Sequence, residues 1–129
     1  MTKERKESLA RHEKARGKVM AFVEKWKADL WLGHWSIDTV LEWNGIHSAT
    51  SAHGHVLGEC DADWRYLSAK LRFNLPELSV LSDEKIEEVV VHELLHVHLN
   101  EMREQGLPHE ERVCSLLTQV MLFLSRRKR

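Results

Sequence analysis

The chain has 129 residues, 43% hydrophobic and 30% charged, with a formal net charge of −1 at pH 7. That balance is ordinary for one soluble globular domain with a single core; it gives no electrostatic case for a membrane or nucleic-acid partner, and no apolar run approaches the ~20 residues that span a bilayer. Two cysteines, Cys60 and Cys114, argue against a disulfide framework, and the charged start Lys3-Glu4-Arg5-Lys6-Glu7 lacks the apolar segment of a secretion signal, so the cytoplasm is the expected location.

Residues 1–16 read as a charged N-terminal extension, either a frayed continuation of the following helix or disordered. A single domain is expected over residues 17–125, with a basic tail at 126–129. Val19, Phe22, Val23, Trp26 and Leu30 follow helical spacing, which predicts an amphipathic helix over 18–32 ending near Gly33. The period then switches to two. Trp35, Ile37, Thr39, Leu41 and Trp43 alternate with polar or smaller residues, a half-buried strand closed by the turn pair Asn44-Gly45. A polar loop at 46–53 precedes a second strand over Val56–Ala62 and a third over Arg65–Phe73, with Leu67, Ala69, Leu71 and Phe73 facing inward.

Ser82 is an N-cap candidate, and Asp83 and Glu84 suit the positive end of a helix dipole. Ile86, Val89, Val90, Leu94 and Val97 then form one apolar stripe, with Val91, Leu95 and Leu99 on other sides. Inside this helix lies His92-Glu93-Leu94-Leu95-His96, an H-E-x-x-H pattern. Residues four apart share a helix face, with Cβ atoms ~5–6 Å apart, so two imidazoles can converge on one Zn²⁺. Glu93 lies ~100° around the helix, where its carboxylate can take a proton from an attacking water. Burying two histidines and a glutamate without a partner is costly, and a metal is the simplest partner.

Pro108 suits the first turn of a last helix with an apolar face of Val113, Leu116, Leu117, Val120, Met121 and Leu124. A catalytic zinc keeps three protein ligands, and the phase 113, 117, 120, 124 extended backwards selects Glu110 as the third. Glu111, Cys114 and His109 are the alternatives. A metal helix ending near Asn100 brings residue 96 opposite Glu110; one running to Gln105 brings it opposite Cys114 or Ser115. The order of helix, three strands, metal helix and last helix predicts an α+β fold with a mostly antiparallel sheet.

His92-Glu93-Leu94-Leu95-His96 together with Glu110-x-x-Val113-Cys114-x-Leu116-Leu117 resembles the gluzincin type of zincin metallopeptidase, and more closely the short minigluzincins and phage-borne or ImmA/IrrE-like proteins. Ser68-Ala69-Lys70-Leu71-Arg72-Phe73 resembles the strand that precedes their metal helix. The resemblance spans roughly residues 34–124, with only H-E-x-x-H specific. It implies one Zn²⁺ on His92, His96 and Glu110, Glu93 as general base, and a peptide or protein substrate aligned along a sheet edge strand. No evident Tyr or His stabilises an oxyanion: Tyr66 is the only tyrosine, and His47, His53 and His55 lie in a polar loop. A metal-binding or protein-interaction module with little turnover is the alternative reading. Nucleic-acid binding by the tail is less favoured, because four terminal basic residues are usually a solvated helix end.

Overall fold

The structure, a computed structural model, describes residues 2–46 and 56–127. Helix α1 (Lys3–Asp29) is followed by strands β1 (Ser36–Glu42), β2 (Gly58–Asp63) and β3 (Ser68–Asn74), a short helix α2 (Leu75–Leu78), and the long helices α3 (Asp83–Glu104) and α4 (Glu110–Arg127). The α+β class matches the sequence expectation. Among the described residues no helix is long and apolar enough to cross a membrane.

Helix α1 has no break at residue 17. Thr2 caps it by accepting the Arg5 N–H at 3.2 Å, and Glu4 sits in the first turn, so the charged extension is its continuous N-terminal half. Helix-favouring Glu, Lys, Arg and Ala make that continuation possible even where nothing packs against it. The buried stripe is Ala15, Val19, Val23 and Trp26. The helix stops at Leu30, before the expected Gly33, because Trp31 takes a positive φ of 61°. At the other terminus α4 runs through to Arg127, so no boundary separates a tail at residue 126.

The sheet order is β1-β3-β2, with β1 parallel and β2 antiparallel to β3. The expectation of a mostly antiparallel sheet therefore fails at β1. Asn44-Gly45 turns the chain without making a hairpin, and β2 pairs with β3 on the side opposite β1. The true hairpin joins β2 to β3. Leu67, expected inward, lies in its turn with φ 51° and is exposed. As the central strand, β3 buries Ala69, Leu71 and Phe73 against the helices, each larger side chain contributing ~1.5–3 kcal/mol by burial.

Asn74 secures both ends of the β1–β2 connection. Its amide donates to the Val56 carbonyl at 2.8 Å, while its oxygen caps α2 through the Glu77 N–H at 3.3 Å. One buried charge ties three helices together. Glu87 on α3 accepts from Trp26 Nε1 at 2.9 Å, with Lys25 at 3.7 Å and Arg126 at 3.6 Å. Trp26→Phe removes a neutral donor from this carboxylate and is expected to cost about 1–3 kcal/mol, read from the urea unfolding midpoint. An unchanged midpoint would show that the indole N–H contributes nothing.

Candidate metal centre

Ser82 caps α3 by accepting the Lys85 N–H at 3.3 Å, and the helix then buries Ile86, Val90, Val91, Leu94, Leu95 and Val97. His92, half-buried, and His96, buried, lie one turn apart on the face of this helix that lines a cleft. Their Nε2 atoms stand 3.2 Å apart, with the rings edge to face at 75°. Two nitrogens on one tetrahedral zinc, each at ~2.0–2.1 Å, lie ~3.3 Å from each other. The spacing fits a shared cation.

Glu93 is 7% exposed and packs against the start of β2. A Cβ on Gly58 would sit 3.0 Å from Glu93 Cγ and 3.3 Å from its carboxyl carbon, so the strand approaches this close only because residue 58 has no side chain. Burial first, then the negative charges of Glu111 and Glu59, push the Glu93 carboxyl up to about 8, against the opposing pull of Arg103. Burial lowers the His92 pKa against the pull of Glu111, favouring the neutral imidazole that a metal requires.

Helix α4 supplies carboxylates from two consecutive residues, in different places. Glu111 Oε1 lies 2.6 Å from His92 Nε2, and its Oε2 lies 2.9 Å from His96 Nε2. Glu110 approaches the opposite side of the ring, with Oε2 at 2.8 Å from His96 Nδ1 and 2.7 Å from Arg103 Nη2. The residue beside both Nε2 atoms is therefore Glu111, whereas the phase of α4 had pointed to Glu110. The difference follows from the buried stripe, which runs Glu110, Cys114, Thr118, Leu122. Val120 and Leu124, expected inward, are 41% and 44% exposed. Glu110 lies on that stripe, and the stripe passes behind His96; Glu111, at its edge, reaches the open side.

Helix α3 runs to Glu104 with Gln105 as its cap, yet residue 96 still meets Glu110. The connector climbs back along the helix before α4 begins. Leu107 N–H bonds the Met102 carbonyl at 2.8 Å, and Gly106 turns with φ 70°, a conformation glycine adopts without penalty. Eight residues of helix rise ~12 Å, a distance that the few residues before α4 can cover when extended at ~3.3 Å each.

Cys114 Sγ shares a 4.8 Å neighbourhood with ligand atoms of His92 and His96. Its thiol donates to the His92 carbonyl at 2.9 Å, and burial, then Glu111 and Glu93, raise its pKa far above the ordinary thiol value. Burial pushes the Cys60 thiol up to about 12 as well. His109 is exposed; what α4 uses is its carbonyl, which accepts the Val113 N–H at 3.0 Å. His98 turns away, its Nε2 2.7 Å from the Leu30 carbonyl. Tyr66 is 78% exposed in the β2–β3 turn, and His47, His53 and His55 lie outside the described residues.

A cleft of about 780 Å³ opens over the cluster, lined by His92, Glu93, His96, Arg103 and Glu111 and by Gly58, Glu59, Cys60 and Asp61 of β2. Strand β2 pairs only with β3 among the described residues. Comparison of the chain with protein families, with curated proteins and with solved structures gives no match.

Gly58→Ala is expected to overpack the Glu93 contact and cost about 1–3 kcal/mol, read from the unfolding midpoint. A midpoint equal to that of the parent protein would mean that β2 and Glu93 part without strain.

Proposed function

We propose that the protein is a zinc-dependent metallopeptidase of zincin type, with His92, His96 and Glu111 as ligands and Glu93 as general base. The observation that carries this reading is the convergence of two imidazole Nε2 atoms and one carboxylate at 2.6–3.2 Å, with a second, buried carboxylate alongside. A zinc ion held by His92, His96 and Glu111 would supply Lewis acidity and would favour the ionised form of Glu93. Glu93 accepts the proton of the attacking water and returns it to the leaving amine. Backing by Gly58 fixes the carboxylate, and enclosure by α3 and β2 keeps bulk water from competing for it. The edge of β2 away from β3 offers main-chain donors and acceptors to an extended peptide, which would add as a further strand across the cleft.

Glu93→Gln is expected to retain one equivalent of zinc and to lose ~10²–10⁴-fold in cleavage of an unfolded protein such as casein, followed by release of peptides. Retention of full cleavage by this variant would remove the base assignment. His92→Ala and Glu111→Ala are expected to lose tightly bound zinc, as measured by metal analysis after gel filtration.

A second reading is favoured by the position of Cys114: a His92–His96–Cys114 site closed by Glu111 as fourth ligand, which would hold zinc without turnover. Cys114→Ser separates the two. A peptidase site keeps its zinc in that variant because the thiol faces the His92 carbonyl; a closed thiolate site loses it.

A further inference from the structure

His96 is approached by carboxylates at both ring nitrogens, and the two differ in kind. The Glu111 side chain is 71% exposed, whereas that of Glu110 is 9% exposed and lies against Nδ1. His96 Nδ1 is shielded from solvent and makes no aligned hydrogen bond; Glu110 Oε2, 2.8 Å away but off the ideal line, is the acceptor beside it. A bare Nδ1 lone pair facing a carboxylate oxygen at that distance is repulsive, so the proton belongs on Nδ1. Glu111 Oε2 lies 2.9 Å from Nε2, but its exposed side chain can turn towards solvent, whereas the buried Glu110 cannot; Glu110 therefore decides the tautomer, and the Nε2 lone pair is left for a cation.

Burying the Glu110 carboxylate is costly without a countercharge. Arg103 supplies it from the last turn of α3 at 2.7 Å. The pair also bridges the connector between α3 and α4. Holding Glu110 in place sets the rotation of the first turn of α4, and with it the position of Glu111.

We propose that Glu110 is a positioning residue for His96, clamped by Arg103, and that the pair presets the metal site without touching the ion. The inference rests on the metal-site reading above and adds to it the residues that orient the ligands. Removal of such outer partners typically costs ~10–100-fold in metal affinity.

The test uses wild type, Glu110→Ala, Glu110→Gln and Arg103→Ala, with two readouts. Zinc affinity is measured by competition with a chromophoric chelator, and the His96 tautomer by ¹⁵N–¹H correlation on zinc-stripped protein. Wild type is expected to carry the proton on Nδ1. Glu110→Ala is expected to lose that preference and ~10–100-fold in affinity, with Gln, which can still accept the Nδ1 proton, restoring part of both. Arg103→Ala, at an exposed position, is expected to fold with a lowered unfolding midpoint, because the Glu110 carboxylate loses its countercharge, and to weaken zinc binding several-fold; it decides the matter should Glu110→Ala fail to fold. Zinc affinity in both alanine variants within twofold of wild type, or no Nδ1 preference in wild type, overturns the proposal. A wild type that takes up no zinc sinks the metal-site reading instead, and the tautomer comparison still decides whether Glu110 orients His96.

Discussion

Helix α3 has to bury apolar side chains around most of its circumference while presenting two imidazoles along one strip. Those demands conflict unless the neighbours are arranged unevenly. Helix α1 covers one flank, β2 and β3 another, and α4 closes the third. The open strip is what remains, and everything at the site inherits its position from that arrangement. The same enclosure that stabilises the fold desolvates Glu93, so core packing and the chemistry of the carboxylate have one cause.

Acidic groups are concentrated where the helices meet, and each has a different relation to charge. Glu87 is compensated by Lys25 and Arg126 and acts as a structural tie. Glu110 is compensated by Arg103. Glu93 and Glu111 face the cleft, and only the more distant attraction of Arg103 opposes the burial of the Glu93 carboxyl among the described residues. Two carboxylates lie beside two imidazoles there, and in the proposed reading a divalent cation is the partner that would hold both carboxylates ionised.

The local signals in the sequence were strong where they were periodic. The capped helix with H-E-x-x-H, the strand carrying Ala69, Leu71 and Phe73 and the start of the last helix could each be read from residue spacing. The parallel pairing of β1 could not, because nothing in a strand's own pattern says on which side of its neighbour it lies. Helix α4 was misread by one position for a physical reason. Cys114 and Thr118 occupy the buried stripe, where Thr118 satisfies its hydroxyl on the Cys114 carbonyl at 2.8 Å, while Val120 and Leu124 remain partly exposed. Hydrophobicity alone then finds Glu110 on the buried stripe but not Glu111, which reaches the cleft from its margin.

That misreading carries a more general consequence for ligand assignment. A residue at the centre of a buried stripe reaches the back of a neighbouring helix, where it can orient a ligand but is walled off from the cleft. A residue at the margin of the stripe reaches the front, where the Nε2 atoms open to solvent. Glu110 and Glu111 divide these roles between consecutive positions. Cys114, one turn further along the same stripe as Glu110, belongs with the back wall: its thiol is buried, held by a carbonyl and surrounded by negative charge. In the proposed reading the exposed Glu111 leaves the cleft side of the site open, and a thiolate drawn forward from Cys114 would close the coordination sphere to an extended peptide.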